Sequence, residues 1–168
     1  PPRTARSVFP ISADREHTAV MGASMGGYGA LKCALAKPEQ YGFCGAFSSG
    51  CLFIKNDLAF MKEQGLEAAA KIWGQQLAND IPSIFGDDLE WQPEYELTEL
   101  AKAAKQKGIL PKLYLTCGTE DKFYPDHVRF TKELDEIGID YTFEHWQAGH
   151  DFLCFDEALK RTVFQYNL

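Results

Sequence analysis

The sequence predicts an open α/β fold in which a mostly parallel sheet is laced together by crossover helices. Two observations predict it. Short apolar runs of strand length (residues 17–22, 43–48, 111–118 and 140–146) alternate with segments of helical periodicity. The first run also passes through a glycine-rich turn straight into a helix, the connection that parallel strands require. The chain has 168 residues, 45% hydrophobic and 24% charged. That composition suits one folded domain with a sizeable core and excludes a disordered or collagen-like chain.

Element by element, Pro1–Ala5 reads as an irregular entry, and Pro10 breaks the mixed stretch from Ser7 to Ile11. His17 to Gly22 is a short buried strand. Residues 25–37 follow as a helix with Tyr28, Leu31 and Leu35 on one face, stopped by Pro38. Phe43–Ser48 is the second strand, closed by Ser49-Gly50. From Cys51 to Gly108 strand character is lost: Leu66–Trp73 and Leu97–Gln106 are helical, and Pro82–Trp91 is irregular. This middle third is expected to be a helical insertion. Pro111–Gly118 is a strand, Asp126–Ile137 a helix stopped by Gly138, Asp140–Trp146 a strand and Phe152–Tyr166 a closing helix. About four strands are a small set for a parallel sheet, so a preceding segment or a second chain is expected to complete it.

Charge and cysteines narrow the function. With 17 basic and 24 acidic residues the net charge is −7, and no basic run is present, so nucleic acid is not an expected partner. No apolar stretch is long enough for a membrane span. The five cysteines, Cys33, Cys44, Cys51, Cys117 and Cys154, form no CxxC pair. Free, mostly buried thiols suit a reducing compartment, and the cytoplasm is the expected location. Because the chain starts at Pro1, secretion stays open.

The chemistry concentrates at one motif. Gly22-Ala23-Ser24-Met25-Gly26 is G-x-S-x-G between a strand and a helix. The sharp turn would push the Ser24 hydroxyl out at the carboxyl end of the sheet, with glycine needed at positions 22 and 26 to avoid collision, and would set the Met25 N–H at a helix start to meet an oxyanion. The bland alternative is a turn that merely lets the helix pack close. No phosphate-binding loop or dinucleotide fingerprint is present, and no histidine or carboxylate spacing matches a metal site, so neither cofactor nor metal is expected.

A serine nucleophile needs an imidazole base and a group to orient it. Of the four histidines, His17 starts the first strand at the wrong end, His127 on a first helical turn reads as solvated, and His145 lies inside the last strand. His150, in the loop after that strand, shares the sheet edge of Ser24 and is the expected base. Asp151 beside it reads as a helix cap. Asp121, after the third strand, is the expected acid, with Glu120 and Asp126 as competitors. Cys51 and Cys117 lie near the same edge but on no such elbow. Trp73, Trp91 and Trp146 read as packing residues before pocket-lining ones.

The order Ser24, Asp121, His150, together with Ser24-Met25-Gly26-Gly27-Tyr28-Gly29-Ala30, Phe47-Ser48-Ser49-Gly50, Cys117-Gly118-Thr119-Glu120-Asp121 and Ala148-Gly149-His150-Asp151-Phe152, resembles the esterase D-like branch of the α/β-hydrolases. Tributyrin, acetyl, cinnamoyl and feruloyl esterases are its nearest-looking members, with S-formylglutathione hydrolase nearby. The resemblance implies the C-terminal part of a three-layer α/β-hydrolase fold, a single domain over 1–168, with a helical cap-like insertion at about 52–107 that sets acyl preference. It implies a serine carboxylesterase acting on short-chain or aromatic acyl esters, with Ser24 as nucleophile, His150 as base, Asp121 as acid and Met25 as one oxyanion donor. The second donor would come from a loop in the preceding segment that the branch carries. A formylglutathione-type thioesterase and a non-catalytic scaffold or inert fragment are the alternatives, and a homo-oligomer stays open.

Overall fold

In the computed structural model the described residues are 14–167, with Val8 and Ser12. The expectations for Pro1–Ala5 and for the break at Pro10 lie outside them. The chain divides into two compact units, residues 1–52 with 97–168, and Phe53–Glu96.

The first unit holds a four-stranded sheet: β1 (Ala19–Ala23), β2 (Phe43–Phe47), β3 (Lys112–Gly118) and β4 (Tyr141–Trp146). The order is β1-β2-β3-β4 and every pairing is parallel. Its helices are α1 (Met25–Ala36), α4 (Leu97–Gln106), α5 (Tyr124–Ile137) and α6 (Phe152–Tyr166). Alternation along the strands sends Phe43, Phe47 and Tyr114 to one face, where they cluster with Ala158 of α6, flanked by Met21, Trp146 and Tyr166. The opposite parity presents Phe143 to His127 of α5, and α5 packs on α4, which packs on α1. The expected three-layer α/β architecture is thus present, with the sheet between α6 and the row α1, α4, α5.

Local sequence explains the element ends. In α1 the buried set Gly27, Tyr28, Ala30, Leu31, Ala34 and Leu35 recurs at helical spacing, and Pro38 lies just past its end. Gly138 ends α5 in the left-handed conformation (φ 72°, ψ 51°), and its N–H and that of Ile139 return to Asp135 and Leu134 carbonyls. Asp151 is the N-cap of α6, its carboxylate accepting from the Cys154 N–H at 2.9 Å.

The second unit is helical: α2 (Ile54–Trp73), kinked at Gly65, and α3 (Gln75–Phe85). Two expectations are corrected here. Helix begins at Ile54, well before Leu66. Pro82–Phe85 is helical, because α3 tolerates Pro82 near its C-terminal end, where only the Ala78 carbonyl loses its donor. Leu97–Gln106, grouped with the insertion from sequence, belongs with the sheet-bearing unit. Among the described residues no helix is long and apolar enough to cross a membrane.

Candidate active site

The sheet register fixes where the chemistry collects. Ala23 pairs with Phe47, Phe47 with Thr116, and Gly118 with Trp146, so β1, β2, β3 and β4 all end on one side. Ser24 leaves β1 there with φ 55° and ψ −124°, a backbone conformation that non-glycine residues rarely adopt. The turn needs Gly22, since a Cβ there would lie 2.1 Å from the Gly26 carbonyl oxygen. Gly26 itself is a correction: a Cβ there meets nothing within 4 Å, because its own side-chain direction opens outward. Met25 opens α1, so no earlier helical carbonyl takes its N–H in the α-helical pattern.

Two loops converge on Ser24. Past β3, Asp121 is buried, and past β4, His150 keeps a quarter of its side chain exposed. They are tied together by backbone bonds: Thr119 N–H donates to the Trp146 carbonyl (2.8 Å) and Glu120 N–H to that of Ala148 (3.0 Å). Gly118 permits this approach, since a Cβ there would sit 2.1 Å from the Ala148 oxygen. His150 Nδ1 then lies 2.7 Å from Asp121 Oδ2, and His150 Nε2 lies 2.9 Å from Ser24 Oγ. The rings of Phe123 and Phe155 stand edge-on to the imidazole, each with its centroid 5.1 Å away.

Electrostatics favour an ionised Asp121. Burial pushes its carboxyl up, but the His150 hydrogen bond, the Phe123 N–H on Oδ1 (2.9 Å), the His150 charge and the Ser48 hydroxyl together hold it below the ordinary carboxylate range. The structure therefore brings Ser24, His150 and Asp121 into one hydrogen-bonded chain. Of the competitors, Glu120 is exposed and accepts from Gln147 (2.9 Å), and Asp126 sits exposed on the first turn of α5. Cys51 and Cys117 are both buried, and burial, then the Asp121 charge, pushes the Cys117 thiol up to about 12.

The remaining histidines divide. His17 is exposed and ends a 3₁₀ turn (Arg15–His17) ahead of β1, which starts two residues later than expected. His145 is exposed on β4 against Tyr124. His127 overturns its reading as solvated: it is fully buried, stacked on Phe143, with Nε2 accepting from Ser49 N–H at 2.8 Å. Trp73, Trp91 and Trp146 pack beside Phe60, Lys55 and Arg161 respectively. A groove of about 350 Å³ lies beside β1, lined by Met21, Ala23, Phe47, Phe155 and Leu159.

A parallel sheet between helical layers, with a serine elbow at its carboxyl edge, is the layout of the α/β-hydrolase fold. Known proteins make the class specific. Residues 2–166 match the family model described as "Putative esterase", and the chain belongs to that esterase family. It is 32% identical over 147 residues to an acetyl esterase of Caldicellulosiruptor saccharolyticus, covering 88% of this chain and 53% of that protein. The chain thus spans about half the length of that curated relative. Two solved Staphylococcus aureus structures superpose well: apo S-formylglutathione hydrolase FrmB (TM-score 0.72) and the substrate-bound fluorophosphonate-binding serine hydrolase FphF (TM-score 0.77). Each is 25% identical, covering 97% of this chain and 59% of the other. A ferulic acid esterase at 18% identity and TM-score 0.64, covering 96% of this chain and 54% of that one, shares the fold.

Proposed function

We propose that this chain carries the acyl-transfer site of a serine carboxylesterase acting on small esters, short-chain acyl esters first. One observation carries the reading: the unbroken hydrogen-bonded chain from Ser24 Oγ through His150 to the buried Asp121, 2.9 Å and 2.7 Å. Ser24 Oγ attacks the ester carbonyl carbon while His150 Nε2 takes the hydroxyl proton, and Asp121 holds the imidazolium. The oxygen that gains charge is met by the Met25 N–H at the start of α1. The carbon–alkoxy bond then breaks, the alkoxide leaving with the proton from His150. Water, deprotonated by the same nitrogen, attacks the acyl-serine and releases the acid.

The acetyl esterase relative supports the short acyl group. The likeness to S-formylglutathione hydrolase supports a thioester as the second reading, separated by relative turnover of a short acyl ester and an S-acyl thiol.

Intact mass after exposure to a fluorophosphonate tests the site. One adduct is expected on the wild-type chain and none on Ser24→Ala. An adduct that survives the substitution would overturn the nucleophile assignment, and a wild-type chain that takes none would overturn the active-site reading of this chain.

A further inference from the structure

His127 is an awkward residue for plain packing. Its side chain is fully buried, and its ring stacks on Phe143, the planes within 8° of parallel and the centroids 5.9 Å apart. Nε2 accepts the Ser49 N–H, so the proton of the neutral ring sits on Nδ1, which is buried and has no partner. Burial, opposed by the Asp121 charge, brings its pKa down to about 4, so the ring is neutral at ordinary pH. Phenylalanine or leucine would fill the space without stranding a buried donor, which is costly to leave unpaired. What the imidazole supplies and they do not is an acceptor.

That acceptor holds the middle of a turn that reaches both Ser24 and Asp121. Ser24 N–H donates to the Phe47 carbonyl (2.9 Å), and Gly50 N–H to the Ser24 carbonyl (3.2 Å). Ser48 N–H is held by the Thr116 carbonyl (2.7 Å), and its hydroxyl acts on the Asp121 carboxylate. Ser49 rests against Gly27 of α1, where a Cβ would lie 2.1 Å from its hydroxyl oxygen and 3.2 Å from its Cα. Both Ser48 (φ 45°) and Cys51 (φ 56°) are left-handed without being glycine. Such strained residues persist only when their surroundings over-determine them. We propose that His127 is a positioning residue, its Nε2 anchoring the turn at residues 48–50 so that the Ser24 elbow and the Asp121 carboxylate stay in register with His150.

The inference rests on the esterase reading of Ser24, so two readouts are needed. His127→Gln places an acceptor close to where Nε2 lies; His127→Leu removes it. For His127→Leu we expect the fluorophosphonate labelling rate of Ser24 and kcat for a short acyl ester to fall by about 10²-fold, the scale of an ångström-sized misplacement. KM should change by no more than about threefold, and His127→Gln should recover most of the loss. Independently of turnover, the far-downfield proton between His150 Nδ1 and Asp121, followed by NMR, should move or broaden in His127→Leu and return in His127→Gln.

If His127→Leu does not fold, His127→Asn, too short to reach the Ser49 N–H, takes its place. A folded variant lacking the acceptor that labels at the wild-type rate, or glutamine and leucine variants equally impaired, would overturn the proposal. A wild-type chain that fails to label would instead count against the esterase reading. The NMR comparison then decides the positioning role alone, and an unchanged downfield proton in the leucine or asparagine variant overturns it.

Discussion

His150 and His127 both feel the charge of Asp121, yet their surroundings suit them to opposite work. His150 has a carboxylate on one nitrogen and a hydroxyl on the other, with part of its ring open to solvent. The proposed mechanism uses both features, the carboxylate facing a charge formed there and the exposed edge meeting solvent. His127 has an amide N–H on one nitrogen, nothing on the other and no exposure. A positive charge there would have to displace that amide hydrogen bond in a buried site. The lesson is that partner and exposure, more than residue type, decide whether a histidine carries protons or merely accepts a bond.

The most forceful way to break this comparison is to remove what makes His150 different. Asp121→Asn should keep the fold, leave the imidazole in the wrong tautomer and lower kcat for a short acyl ester by about 10⁴-fold near neutral pH. A loss no greater than that of His127→Leu would mean that the two histidines are not functionally distinct.

Acid is the next lever. The His127 pKa falls from 6.5 to about 4 on folding, because burial disfavours the charged ring. The stabilisation from keeping it neutral is complete above 6.5 and is lost as pH falls towards 4. Linkage puts the full effect at about 3 kcal/mol. Urea midpoints should therefore drop between pH 7 and pH 4.5, and the drop should shrink in His127→Leu. The depressed Asp121 pKa adds loss in the same direction only below the ordinary aspartate value of 3.8.

Gly27→Ala sharpens the contrast from the other side of the turn. Its new methyl group meets Ser49, and overpacking of this kind costs about 1–3 kcal/mol. The melting temperature should fall, and Ser24 labelling should slow together with it. Smallest of all, Asp151→Ala removes the cap next to His150, a change of about 1 kcal/mol in stability. Labelling of Ser24 should stay near wild type, separating the residue that caps from its neighbour in the hydrogen-bonded chain.

Much of the site was legible in the sequence because its parts sit on strand ends, and strand ends are marked locally. Ser24 lies between a run of strand length and a glycine-rich helix start, Asp121 follows the glycine that closes a strand, and His150 sits in a short loop before a capped helix. Chain order did the rest. What escaped was set by tertiary packing. His127 reads as solvated from its place on a first helical turn alone. Yet His127, Phe130, Thr131 and Leu134 recur at helical spacing and are all buried, a pattern that was available before the structure. Pro82 hid the end of α3, since proline is ordinarily a breaker and tolerance near a helix end depends on what the freed carbonyl meets. The turn at residues 48–50 was visible as a motif, but its left-handed residues and its reach to Asp121 belong to no local signal.

The backbone of Ser24 sets stability against chemistry at a single codon. With φ at 55°, the position favours glycine, and Ser24→Gly should relieve on the order of 1 kcal/mol of strain while deleting the hydroxyl. A lineage selected for robustness alone would drift to glycine there, whereas one under selection for turnover must keep the strained serine. Melting temperature and labelling, measured on that one variant, should therefore move in opposite directions.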